Sequence, residues 1–123
     1  GDWAGKRRDE MYTPEVMRRM GELGIDFAPP NGESIRMVER RASAWLEKTV
    51  AWHIHHDVAL PGVSHIAIVT HDITTKALLH YVLGTSDRMA WRVLISNTSI
   101  SRLRYTPRGW FVETINDTAH LPL

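Results

Sequence analysis

The stretch Ser64-His65-Ile66-Ala67-Ile68-Val69-Thr70-His71-Asp72 limits the possible folds of this chain more than any other segment. Ser64 to Thr70 is a short, nearly continuous apolar run rich in β-branched residues. Such a run suits a strand covered on both faces, as in a parallel sheet. Asp72 then stands as the expected N-cap of a helix carrying Ile73, Ala77, Leu78, Leu79 and Val82, with Gly84 as its stop. Strand, polar turn and helix follow one another without spare residues. In open α/β sheets, ligands bind beyond the carboxyl ends of strands, where the next helix points free N–H groups outward. His71 falls at that junction. An anion there would meet backbone donors and the positive end of the helix dipole, and an imidazolium would add a charge-assisted hydrogen bond. The residues alone leave open whether His71 binds a ligand or is polar punctuation at a strand end.

The other elements read in order. Thr13-Pro14-Glu15 forms an N-cap, a first-turn proline and a first-turn carboxylate, followed by Val16, Met17, Met20 and Leu23 at helical spacing and by Gly24 as the stop. Ser34 opens a second helix, expected to run to about Val50, with Ile35, Val38, Ala42, Trp45, Leu46 and Thr49 on one stripe. Trp52 to Gly62 reads as a frayed helix end and connection, and Asp87 to Val93 as a short segment with helical character. Thr98 to Tyr105 and Trp110 to Ile115 read as strands joined at Pro107-Arg108-Gly109. The succession helix, helix, strand, helix, strand, strand is α/β with one antiparallel pair. Trp3 and Trp110 are expected to act by packing.

With 123 residues, a single domain is expected, and 43% hydrophobic against 24% charged residues lies far from the regime of disorder. The net charge of +1 provides no global field toward nucleic acid or an anionic membrane, so neither is expected as a partner. No apolar run approaches the roughly 20 residues that a membrane helix needs. The cytoplasm is the default location. There is no cysteine, hence no disulfide or thiolate-ligated metal. His53, His55 and His56 are clustered, but no cysteine or convergent carboxylate set accompanies them, and neither a metal nor a cofactor is expected. Lys6, Arg7 and Arg8 read as a solvated basic run.

Five stretches together resemble the histidine phosphatase superfamily, also called phosphoglycerate-mutase-like. They are Gly1-Asp2-Trp3-Ala4-Gly5-Lys6, Gly32-Glu33-Ser34, Ile66 to Asp72, Asn97-Thr98-Ser99-Ile100, and Asn116-Asp117-Thr118-Ala119-His120-Leu121, and their order and spacing agree with that family from end to end. The resemblance implies a three-layer α/β/α sandwich with a mostly parallel sheet and an antiparallel strand. It also implies a phosphohistidine mechanism. A histidine in an Arg-His-Gly motif attacks phosphorus, arginines and a second histidine hold the phosphoryl oxygens, and an acid protonates the leaving oxygen. His71 matches the second histidine. Asp72 stands where many members carry glycine. Glu33 matches a pocket-rim glutamate, or else is a first-turn carboxylate favoured by the helix dipole. Asn97 steadies a turn near the pocket or ends the segment before a strand. His120 matches a recurrent C-terminal feature or is satisfied within its loop.

No Arg-His-Gly occurs in the chain. The resemblance therefore implies that residues 1–123 are the C-terminal portion of one histidine phosphatase domain, incomplete as a fold and inactive alone. The nucleophile, the leaving-group acid and the N-terminal pocket arginines would lie elsewhere. The expected partners are a phosphorylated small molecule and a second chain, or a second copy, that completes the sheet. Phosphomonoester hydrolysis in the complete domain is the leading expectation. The alternatives are a catalytically inactive binding or scaffold module and a phosphoglycerate-type mutase. The mutase ranks lower because the segment between Gly5 and Gly32 is short.

Overall fold

The computed structural model describes residues 1–52 and 65–122. The first residues lie against the proline loop: Asp2 N–H donates to Pro30 O at 2.9 Å and Asn31 Nδ2 to Asp2 Oδ2 at 3.1 Å. A short helix α1 (Arg8–Met11) precedes α2 (Pro14–Leu23), which starts and stops as its sequence requires. Thr13 Oγ1 accepts from Val16 N–H at 3.3 Å, Pro14 is at the first turn, and Gly24 ends the helix. No residue of α2 is buried, so its apolar stripe is only partly covered. A 3-10 turn, Gly24–Asp26, then carries Ile25 into the core.

Helix α3 (Ile35–Leu46) is capped by Ser34, whose Oγ accepts from Met37 N–H at 3.2 Å. It continues as a π-helical turn, Glu47–Ala51, so the helical path extends to the expected Val50. Helix α4 (Asp72–Leu83) corrects the expected cap. His71, with extended backbone (φ −88°, ψ 162°), is the N-cap residue, and Asp72 lies inside the first turn. There its carboxylate faces the positive helix end and pairs with Lys76 Nζ at 3.2 Å, one turn on. Gly84 ends α4 with φ 58°, a left-handed conformation that a β-carbon would strain, and its N–H donates to His80 O at 3.0 Å. A 3-10 turn at Asp87–Met89 supplies the expected helical character of the next segment.

Helices α3 and α4 pack against each other and carry two apolar clusters. One joins Ile25, Ile35, Val38, Ala77 and Ala90, with Ile73 and Trp91 against it. The other joins Ala42, Leu46, Val50 and Leu78, with Val82 and Trp110 against it. Trp3 also packs as expected, its ring centroid 5.8 Å from that of Phe27. Polar clamps fix the flanks. Arg36 forks Asp26 (2.6 and 3.1 Å) and reaches Asp87 Oδ2 at 2.7 Å, while Glu47 Oε1 accepts from Tyr81 Oη at 3.1 Å and Trp110 Nε1 at 2.8 Å. Burial, together with the carboxylate it donates to, holds the Tyr81 hydroxyl above its usual pKa.

The sheet differs from expectation. Strands β1 (Ile100–Thr106) and β2 (Gly109–Asp117) form the expected antiparallel hairpin, in register from Thr106↔Gly109 to Ile100↔Asp117, with irregularities between Ile100 and Leu103. Among the described residues this two-stranded sheet is the whole of the β-structure. Residues 65–70, expected as a parallel strand covered on both faces, are unpaired and exposed: Ile66 is 55%, Ile68 42% and Val69 99% accessible. A strand is made by its neighbour's hydrogen bonds, and no described segment lies alongside to supply them. The expected parallel sheet is thus not formed by the described residues. No helix among them is long and apolar enough to cross a membrane.

Two outcomes follow from this packing. Leu46→Ala, at a site 1% exposed, lowers unfolding free energy by about 2–5 kcal/mol in urea titrations, whereas Met17→Ala, on the open face of α2, changes it by about 0.5 kcal/mol or less. The Asp117 carboxyl is held below its usual range by the Ala119 N–H and then by Arg102. Its contribution to the hairpin's C-terminal turn is therefore complete above the ordinary aspartate range and is lost as pH falls through the lowered folded value. Side-chain NMR titration should place the Asp117 midpoint below that of an unperturbed aspartate, and Arg102→Ala should raise it.

Candidate functional site

Position 71 sits where an extended segment turns into α4. The carbonyl of His71 is occupied, accepting from Thr75 N–H at 3.0 Å and Thr75 Oγ1 at 3.2 Å. Its side chain makes no capping bond and is exposed. The first N–H groups of α4 have no partner within the helix, as at any helix start. An imidazole, the first backbone donors and the positive end of a three-turn helix are therefore neighbours at the start of α4. Asp72 adds a negative charge beside it, offset in part by Lys76.

An open groove of about 320 Å³ lies beside Thr70, the residue before His71. It is lined on one side by Arg41, Ala42 and Trp45 of α3 and on the other by Ile68, Val69 and Thr70, with Thr74 and Leu78 of α4 at its floor. Arg41 brings Glu33 to its lip, through Nε to Oε1 at 3.0 Å and Nη2 to Oε2 at 2.8 Å. This fork holds the Glu33 carboxyl below its ordinary pKa and the Arg41 guanidinium above its own. Glu33 precedes the Ser34 cap and lies outside the first turn of α3, so the guanidinium, not the helix dipole, is its partner. Gly32, just before it, approaches the proline loop so closely that a β-carbon would lie 2.6 Å from Pro29 Cγ.

Asn97 and His120 belong to a second group, at the end of the hairpin. Asn97 forms a turn with Thr98 (φ 59°), whose Oγ1 donates to Asn97 O at 2.6 Å. Ser96 N–H donates to Asn116 Oδ1 at 2.7 Å, and His120 Nε2 donates to Thr98 O at 3.0 Å. His120 is thus satisfied by its loop, and the turn ahead of β1 and the segment after β2 are tied together. Asp117 completes the group through Ala119 N–H at 3.0 Å and Arg102 Nη1 at 2.7 Å. The structure joins Asn97 to His120 in this way, and Glu33 to the groove before His71. No described hydrogen bond or ion pair joins the His71 side chain to Glu33, Asn97 or His120.

Three participants were not singled out in the sequence. Arg41 follows Glu33 by eight residues, but Glu33 lies before the Ser34 cap, outside the helix, so no helical spacing signals the pair. Lys76 stands four residues after Asp72 and could have been read as a same-face pair. Thr74 has no such signal. Among the described residues, no group of three histidine, cysteine or acidic side chains is arranged to hold a metal, and His53, His55 and His56 lie outside those residues. The described groups can hold and orient an anion. The attacking group of the expected phosphohistidine chemistry is not among them, since the chain has no Arg-His-Gly.

A sequence profile described as the histidine phosphatase superfamily (branch 1) matches residues 1–118. Among similar curated proteins is a probable phosphoglycerate mutase GpmB of Shigella boydii serotype 18, 34% identical over 124 aligned positions that cover 94% of this chain and 54% of that protein. The corresponding proteins of Citrobacter koseri (31% identical, covering 94% and 54%) and Yersinia enterocolitica (31% identical, covering 76% and 42%) are also similar. The chain spans about half the length of the curated relatives it matches. Because the profile covers nearly the whole chain and takes in the groove, the α4 terminus and the hairpin turn, this chain belongs to the histidine phosphatase superfamily.

Proposed function

We propose that this chain supplies the phosphate-holding half of a phosphohistidine site, with His71 binding a phosphoryl oxygen, in a protein that hydrolyses phosphomonoesters. The observation that carries this reading is the exposed, uncapped His71 side chain at the N-terminus of α4. A tetrahedral dianion there would accept from the imidazolium and from the first N–H groups of the helix, and both attractions strengthen as the transition state gathers charge on the equatorial oxygens. Glu33 acts at one remove, holding Arg41 at the lip of the groove. Asn97 and His120 form a stiff rim rather than direct ligands, and Asp72 limits anion affinity to the extent that Lys76 leaves its charge unbalanced.

In the complete reaction, the nucleophilic imidazole of an Arg-His-Gly segment forms a P–N bond as the ester P–O bond breaks, and an acid delivers a proton to the leaving oxygen. Water then takes the phosphoryl group. None of the groups at His71 replaces that nucleophile, so catalysis needs polypeptide that carries it. That polypeptide, or a second copy of this chain, would pair with the exposed run 66–70. The mutase reading is favoured by the names of the relatives, probable phosphoglycerate mutases. It differs only in the final acceptor, a substrate hydroxyl in place of water. The absence of Arg-His-Gly favours a non-catalytic phosphate-binding module for the chain taken alone.

Titration of the chain with inorganic phosphate, followed through the imidazole resonances, should give a saturable shift of His71. Followed instead through the Asp72 to Thr74 amide resonances, phosphate binding should be abolished in His71→Asn and largely kept in His120→Asn. Binding that is unchanged in His71→Asn would remove the basis of the reading. The chain alone should release no phenol from an aryl phosphate above the buffer rate.

A further inference from the structure

We infer that His80 is a proton-operated latch that fastens the Asp87–Met89 turn to α3 and α4. The inference begins from an anomaly. His80 is 9% exposed, in the penultimate stretch of α4, and its Nδ1 is hydrogen-bonded to Glu39 Oε2 of α3. Its Nε2 is, among the described residues, the one buried side-chain nitrogen or oxygen without a hydrogen-bond partner. Leaving such an atom unsatisfied costs more than a hydrogen bond normally contributes, so its surroundings matter.

Those surroundings are acidic. Asp87 Oδ1 lies 4.0 Å from Nε2, and Glu39 occupies the other ring nitrogen. Among the described residues, further charges linked to the pair come from α3 and the Gly24–Asp26 turn. Arg36 donates to Asp87 Oδ2 at 2.7 Å and forks Asp26, and Arg40 acts on Asp26 through its charge. Arg36 is therefore divided between two carboxylates, and no other described cation is ion-paired with Glu39.

The two neutral tautomers of His80 each fail at one nitrogen. With the proton on Nδ1, the Nε2 lone pair faces the Asp87 carboxylate. With the proton on Nε2, the Nδ1 lone pair faces Glu39. The imidazolium alone donates in both directions. Asp87 is more than half exposed and can rotate to shorten the 4.0 Å approach to hydrogen-bonding distance while its second oxygen stays on Arg36. Protonation then links α3, α4 and the turn in one chain of charge-assisted bonds, and loss of the proton breaks it at Asp87.

The turn is not peripheral. It leads into Ala90, 1% exposed, and Trp91, whose Nε1 donates to Gly24 O at 3.1 Å; both pack with Ala77 and Ile73, two residues from His71. Fastening the turn therefore steadies the cluster beneath the start of α4. Only the doubly protonated ring donates at both nitrogens, so the latch is closed in acid and open once the ring has given up one proton.

The test uses the full chain between about pH 5.5 and 8.5, the span in which imidazoles change charge. Ring nitrogen NMR should show both His80 nitrogens protonated at the acid end. After correction for intrinsic exchange, the Met89 and Arg92 amides, bonded to Ser86 O and Met89 O, should exchange several-fold more slowly in acid than in base. Asp87→Asn, at an exposed site that leaves the core intact, should remove that pH dependence. A His80 ring that carries a single proton throughout, or an Asp87→Asn chain with the original pH dependence, would overturn the latch.

Discussion

Helix α4 buries four residues in succession, Ala77, Leu78, Leu79 and His80. At 3.6 residues per turn, four consecutive side chains point around the whole circumference, so this stretch of the helix is enclosed rather than laid on a surface. Ala77 faces the cluster of Ile25, Ile35, Val38 and Ala90, and Leu78 faces that of Ala42, Leu46 and Val50. Helix α3 contributes to both clusters. The two 3-10 turns close the first, and Trp110 of the hairpin closes the second. Helix α3, the two 3-10 turns and the hairpin together cover α4.

Enclosure also explains where polar groups are found. A histidine in the fourth enclosed position must meet a carboxylate or remain unsatisfied, and Glu39 meets it at one nitrogen only. At the other end of the helix the constraint relaxes. His71 is outside the enclosed segment, exposed, with its carbonyl committed to the helix and its ring committed to nothing in the helix cap. A residue held firmly by its backbone and free at its side chain is well suited to bind an anion without reorganisation.

The parts of this fold that could be read in the sequence are those fixed by local chemistry. Thr13-Pro14 and Ser34 mark helix starts because their hydroxyls satisfy free N–H groups, and Gly84 marks a stop because its φ excludes side chains. The hairpin follows from alternation and a glycine turn. The cap of α4 was misplaced by one residue because Asp72 is chemically suited both to the cap and to the first turn, and only the backbone angles separate the two. Residues 65–70 do not form the expected strand for a deeper reason. β-branched composition reports what a segment would be once covered, and the covering depends on neighbours that no local rule contains. At the candidate site, the place of His71 at the start of α4 could be read from the helix signals that follow it, whereas the Glu33–Arg41 fork joins a residue before the Ser34 cap to one inside α3. His120 is a family match whose observed bond, to a backbone carbonyl, is a structural one.

The exposed run and the phosphate proposal are linked by geometry. Val69 is almost fully exposed and Ile66 and Ile68 are about half exposed, along a backbone with no ladder partner among the described residues. Such an edge is both an apolar and a hydrogen-bonding liability until another strand pairs with it. In a parallel pairing the incoming strand would run in the same direction and end beside His71, because neighbouring parallel strands bring their carboxyl ends to one side of the sheet. The polypeptide that covers Ile66 to Thr70 would then deliver its own strand-end residues to the phosphate position at the start of α4. Completing the sheet and completing the catalytic site are thus one structural event under the proposed function, and the open groove beside Arg41 and Thr70 is the space in which it would occur.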